Sequence, residues 1–133
     1  MINYPEKAVY TYDDLVDILR ILRAPGGCPW DREQTHESNR RNFLEEAYEA
    51  AEAFDLDDPE LMKEELGDVL FAAVKVGRFC GVDPEAALST TCEKFIARFR
   101  KVEETVNARG EDMSALPLDE LMALWNNAKE QLR

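Results

Sequence analysis

Twice in this chain an aspartate is followed by proline and glutamate, at Asp58-Pro59-Glu60 and Asp83-Pro84-Glu85. An N-cap carboxylate accepts hydrogen bonds from the free amides of a first helical turn. Proline suits the first helical position, where its missing N–H is not needed, and a further acid there complements the helix dipole. Each tripeptide therefore predicts a helix start. The first opens a helix from about Pro59 to Phe79, which Gly81 ends. The second opens one that runs to about Ala108, with Arg109-Gly110 as its stop. Upstream, Leu15, Ile18, Leu19 and Leu22 recur at helical spacing behind a capping-box pair, Thr11 and Asp14, which predicts a helix from about Tyr12 to Arg23. Pro25, Gly26, Gly27 and Pro29 break it, and a loop is expected through about Glu37. A helix over roughly Ser38 to Phe54 carries Phe43, Ala47, Tyr48, Ala51 and Phe54. A last one opens at Leu116-Pro117 and carries Leu121, Leu124, Trp125, Ala128 and Leu132. Nothing alternates with the period of two that a strand requires. The expected fold is all-α, a bundle of about five helices in one domain over residues 1–133.

The formal charge of −12 repels phosphate backbones, so DNA and RNA polymers are not expected partners. No apolar run approaches the ~20 residues of a membrane span, and the opening MINYPEKAVYTYDD lacks the apolar stretch of a signal peptide. Cys28, Cys80 and Cys92 are scattered, and His36 is the single histidine. Neither a disulfide framework nor a Cys/His zinc site is expected, and the expected compartment is the cytosol. Residues Val69 to Val76 are apolar almost all round. Such a helix is buried on several sides, which a chain this small rarely achieves alone, so a homo-oligomer is expected.

The acids carry the chemistry. Between Glu45 and Asp68 there are eleven acids and one base, Lys63. Glu46 and Glu49 are three residues apart and share a helix face, as do Glu65 and Asp68. A short connector predicts that their two helices pair as an antiparallel hairpin, which lets the four carboxylates converge. Leu61, Glu65, Asp68 and Ala72 form one row, so the two acids interrupt a stripe that is apolar at both ends. Half-buried carboxylates that face each other must take up protons or recruit a cation, and an all-oxygen donor set suits Mg²⁺ or Mn²⁺. Gly67, in mid-helix, costs about 1 kcal/mol relative to alanine, and a close backbone approach beside the site is the expected reason. The alternative is a solvated acidic hairpin, since charge runs are usually solvated faces. A di-iron bundle lacks its Glu-x-x-His motifs here, and an EF-hand lacks its loop.

From Lys94 to Arg109 five bases stand against two acids. Lys94 and Arg98 are four apart, next to Phe95 and Phe99, which read as core; Trp125 and Lys129 are also four apart. Cationic side chains with a divalent ion suit a polyphosphate. Core packing for Trp125, and surface pairing with acids for Lys94 and Arg98, are the plainer readings.

Three segments together resemble the MazG nucleotide pyrophosphohydrolases. They are Arg23-Ala-Pro-Gly-Gly-Cys-Pro-Trp-Asp-Arg-Glu-Gln-Thr-His36, Leu44-Glu-Glu-Ala-Tyr-Glu49 and Glu64-Glu-Leu-Gly-Asp68. The family's EExxE and ExxD signature is filled by Glu45, Glu46, Glu49, Glu65 and Asp68. The later Lys94-Phe-Ile-Ala-Arg98 and Trp125-Asn-Asn-Ala-Lys129 also resemble it. The likeness runs from about residue 11 to the end, with one copy of the signature where many members have two, and with Val76 where many have histidine. It implies a single all-α domain of this family, assembled as a homodimer or homotetramer. It also implies Mg²⁺-dependent hydrolysis of nucleoside triphosphates to the monophosphate and pyrophosphate. Glu46, Glu49, Glu65 and Asp68 would hold metal, Glu45 would be a ligand, a base or a supporting group, and Lys94, Arg98, Trp125 and Lys129 would contact the nucleotide. Two rivals stand beside this reading. One is a related helical pyrophosphohydrolase acting on phosphoribosyl-ATP or dUTP; the other is a non-catalytic acidic interaction module.

Overall fold

The computed structural model describes residues 2–133. They form two compact units, one reaching to Pro84 and one over Glu85–Arg133. The first unit holds α1 (Tyr12–Arg23), a one-turn α2 (Pro29–Arg32), α3 (His36–Asp55) and α4 (Pro59–Phe79). The second holds α5 (Pro84–Ala108), a 3₁₀ turn (Met113–Ala115) and α6 (Leu118–Gln131). No strand occurs among the described residues. The all-α expectation therefore holds, with five long helices and one short turn, α2, inside the segment expected to be a loop. Pro29 starts that turn at its first position, in keeping with proline's fixed φ.

Local chemistry sets the boundaries. Thr11 caps α1: its N–H donates to Asp14 Oδ2 at 2.8 Å, and its hydroxyl accepts from the Asp14 amide. Lys7 Nζ donates to Asp14 Oδ1. These bonds favour the charged form of the buried Asp14 carboxyl. The Lys7 ammonium contributes most, and the pKa is lowered from 3.8 to about 2. At α3 the Ser38 amide donates to Thr35 Oγ1 at 3.1 Å, and the Thr35 amide donates to Ser38 Oγ at 2.9 Å. Asp58 starts α4 as its sequence signal predicts, with Oδ1 accepting from the amides of Glu60 at 3.1 Å and Leu61 at 3.2 Å. Between α3 and α4 the chain reverses within a few residues, helped by Asp57 at φ 53°, a conformation that aspartate tolerates better than most residues.

The α3–α4 pairing dominates the first unit. Residues Asn39, Asn42, Glu46, Glu49 and Ala53 of α3 are spaced three and four apart, and so are Leu61, Glu65, Asp68, Ala72 and Lys75 of α4. Asn39, Ala53 and Ala72 on these rows are buried. The seam that joins the helices is thus built from small and polar residues. The apolar positions of α3 lie elsewhere: Tyr48 and Phe54 are 72% and 73% exposed, and Phe43 is exposed too. On α4 Leu66, Leu70 and Phe71 are also exposed. The row of four expected from sequence is therefore graded, with Ala72 buried, Leu61 and Glu65 half-buried and Asp68 exposed.

Two expectations need correction. A Cβ built on Gly67 meets nothing within 4 Å, so among the described residues no close approach would exclude a side chain at this position. Phe95 and Phe99 do not join the core of the second unit. They stack on each other with centroids 6.1 Å apart and remain 55% and 40% exposed. That core is Val102 and Val106 of α5 with Leu124 and Ala128 of α6. The phenylalanines lie about one and two turns before Val102, where α6 offers Trp125, 5.3 Å from the Phe95 ring, but leaves both rings largely uncovered.

Removing the α3 cap tests how far local chemistry holds the site helix. Thr35→Ala is expected to lower stability by about 1 kcal/mol in urea unfolding. An unchanged midpoint would show that packing alone fixes this helix end.

Candidate metal centre

Helical spacing places Glu46 and Glu49 on the seam face of α3, and Glu65 on the seam face of α4. One carboxylate oxygen from each of the three lies within 4.8 Å of the others. Glu46 and Glu65 are half-buried and Glu49 is exposed. Partial burial penalises the charge on Glu65, and the neighbouring charges of Glu49, Glu64, Asp68 and Glu46 add to the effect. Together they raise its pKa above the ordinary 4.5. Three converging carboxylates, with the pKa of Glu65 raised, form a site short of positive charge. A bound proton or a cation relieves it.

The other sequence candidates fall into separate places. Asp68 is exposed and stands outside the close group of three, although its charge reaches Glu65. Glu45, one residue before Glu46, lines a neighbouring cavity of about 430 Å³ together with Trp30, Gln34, Ser38, Arg41, Asn42 and Lys75. Lys94, Arg98, Trp125 and Lys129 all belong to the second unit. Trp125 packs against that unit's core and lies 5.3 Å from the Phe95 ring, centroid to centroid. Core packing is therefore a real part of its role. Among the described residues, Lys94, Arg98 and Lys129 make no ion pair, unlike Lys101 with Glu104 and Arg109 with Glu120. Arg98 Nε is buried and has no hydrogen-bond partner. The plainer alternative for Lys94 and Arg98, surface pairing with acids, is thus not found among the described residues.

Two residues at the site were not singled out from the sequence. Asn42 Nδ2 donates to Glu46 Oε1 at 2.9 Å, and Lys75 Nζ donates to Asn42 Oδ1 at 2.6 Å. The signal for them was the register of the seam. Asn42 precedes Glu46 by four residues, and Lys75 follows Asp68 by seven. Both continue the rows that carry the acids.

The raised pKa of Glu65 has a defined consequence for stability. The folded state holds this proton more tightly than the unfolded chain does. Stability therefore falls as pH rises from the ordinary value of 4.5 through the raised folded value, and the loss is complete above it. In chelator, Glu65→Gln is expected to melt at a higher temperature than the parent at pH 7 and to flatten that part of the pH profile. Identical profiles for the two proteins would mean that the carboxylates do not interact.

Comparison with known proteins gives this geometry a context. The model of the MazG nucleotide pyrophosphohydrolase domain matches residues 34–103, a span that includes all the acids of the site. The nucleoside triphosphate pyrophosphohydrolase/pyrophosphatase MazG of Thermotoga maritima is 43% identical over 97 residues, covering 70% of this chain and 38% of that protein. The nucleoside triphosphate pyrophosphohydrolase of Escherichia coli K12 is 42% identical over 84 residues, covering 63% of this chain and 31% of that protein. The chain thus spans well under half the length of these curated relatives. A solved structure, that of a mazG-related protein from Thermotoga maritima, superposes with a TM-score of 0.62 at 28% identity. The match covers 89% of this chain and 98% of that one. The chain belongs to the MazG nucleotide pyrophosphohydrolase domain family.

Proposed function

We propose that this protein is a nucleoside triphosphate pyrophosphohydrolase. It would convert NTPs or dNTPs and water to the monophosphate and pyrophosphate, with Mg²⁺ or Mn²⁺ held by Glu46, Glu49, Glu65 and Asp68. The observation that carries the reading is the convergence of three carboxylate oxygens within 4.8 Å at the α3–α4 seam. An all-oxygen donor set fits a hard cation. Ligands at ~2.1 Å from Mg²⁺ lie at most ~4.2 Å apart, so small side-chain rotations would close the group around one. Asp68, one turn beyond Glu65, is the fourth ligand by its match to the family signature. The relatives named for this activity support the assignment, as does a family match that crosses from the first unit into the second and favours a single domain over residues 1–133.

When bound, the divalent ion neutralises phosphate charge and acidifies water. The chain's own groups do the rest. Glu46, Glu49 and Glu65 fix the ion's position. Glu45, off the close group and on the wall of the adjoining cavity, is a candidate to accept the proton of the attacking water. Lys94, Arg98 and Lys129 are cations without an acidic partner among the described residues. By their match to the later family segments, these cations would meet the departing pyrophosphate and Trp125 the nucleotide. In-line attack by water requires no nucleophilic side chain. The exposed apolar faces of α3 and α4, with Phe54 73% and Leu70 60% exposed, support assembly as a homodimer or homotetramer, because a monomer rarely leaves such faces uncovered.

Incubation with mixed NTPs and dNTPs plus Mg²⁺ is expected to release pyrophosphate rather than orthophosphate. Glu49→Gln is expected to lower turnover by about a hundredfold with its helical spectrum intact. Near-normal turnover in that variant would sink the metal assignment. Mg²⁺ without nucleotide is expected to raise the melting temperature, because it binds only the folded cluster. A flat response to millimolar Mg²⁺ would favour a non-catalytic acidic module. By light scattering, the parent is expected at a multiple of 15.2 kDa and Leu70→Glu at a smaller one. A monomeric parent would refute the assembly.

A further inference from the structure

We propose that Lys75 and Asn42 are positioning residues that act in series to aim the Glu46 carboxylate at the cation; the inference rests on the metal reading above. Lys75 Nζ donates to Asn42 Oδ1 at 2.6 Å, and Asn42 Nδ2 donates to Glu46 Oε1 at 2.9 Å. A side-chain amide has one end that only accepts and one that only donates. An ammonium has only donors and a carboxylate only acceptors. With Lys75 on one side and Glu46 on the other, a single amide orientation satisfies both. That orientation holds one carboxylate oxygen of Glu46 by a charge-assisted bond and leaves lone pairs free for a metal.

The relay also crosses the hairpin. Asn42 and Glu46 belong to α3, whereas Lys75 belongs to α4, the helix that presents Glu65. It therefore ties the two halves of the carboxylate group together at a point two to three turns along α4 from Glu65. Both hydrogen bonds are partly buried, so solvent screens them less than it would surface contacts. The ammonium brings positive charge towards the acids without supplying a ligand atom. Lysine has no lone pair while charged, so it does not compete for the ion. Partners of this kind fix the geometry of metal-binding carboxylates, and their loss typically weakens metal affinity by about ten- to a hundredfold.

The test measures Mn²⁺ binding without nucleotide, by the electron paramagnetic resonance signal of free Mn²⁺, alongside kcat and KM for the nucleotide. Asn42→Leu and Lys75→Met are each expected to weaken Mn²⁺ binding by about tenfold. Because Lys75 acts through Asn42, the double variant is expected to bind no more weakly than Asn42→Leu alone. Lys75→Arg, which keeps a cationic donor, is expected to recover part of the lost affinity. KM for the nucleotide at saturating Mn²⁺ is expected to stay near the parent value. Single variants within twofold of the parent, or losses that multiply in the double variant, overturn the relay while leaving the metal site standing. A parent protein that binds no Mn²⁺ at millimolar concentration overturns the metal reading and the relay together. Should Asn42→Leu lose its helical spectrum, Lys75→Met and Lys75→Arg decide the matter, since Lys75 makes its hydrogen bond at the site to the amide and none to the acids themselves among the described residues.

Discussion

Mutual repulsion between carboxylates at the α3–α4 seam is the constraint around which the first unit is built. Two adjacent helices normally meet through apolar residues at intervals of three and four. Here those intervals carry Asn42, Glu46 and Glu49 on one side and Glu65, Asp68 and Lys75 on the other. The seam stays together because small residues, Ala53 at 0% exposure and Ala72 at 2%, allow close approach. The hydrogen bond from Lys75 of α4 to Asn42 of α3 holds it as well. The repulsion on Glu65 works against folding at neutral pH, and the cation of the proposed function would relieve it.

The same constraint accounts for the outer faces. With its polar row turned towards α4, α3 leaves Phe43, Tyr48 and Phe54 exposed. On α4, Leu66, Leu70 and Phe71 are left uncovered in the same way. A helix cannot turn both its acidic and its apolar face to one neighbour. Building an acidic site between two helices therefore pushes apolar surface outward, which links the proposed chemistry to the proposed assembly.

The second unit shows a related economy. Its core is four residues, Val102, Val106, Leu124 and Ala128, and the part of α5 before Val102 leaves Phe95 and Phe99 exposed. On that part Lys94 and Arg98 have no acid partner among the described residues, in contrast to the paired Lys101 and Arg109 further along the chain. The buried Arg98 Nε has no hydrogen-bond partner among the described residues, in keeping with the anion contact proposed for it.

Helix boundaries were legible in the sequence because they are set locally. Asp58-Pro59-Glu60 and the Thr11 and Asp14 pair act through hydrogen bonds spanning a few residues. The i,i+3 acids were legible for the same reason, as were the segments that resemble the family. Which face meets which neighbour was decided by the tertiary structure. Glu46 and Glu65 meet whereas Glu45 lines a separate cavity, because one residue on a helix is a turn of 100° about its axis. Gly67 opened onto empty space instead of a close contact, and the link between Asn42 and Lys75, separated by 33 positions, had no local trace. Local hydrogen bonding determined the rods. Their mutual rotation, a sum over contacts distant in sequence, decided the site.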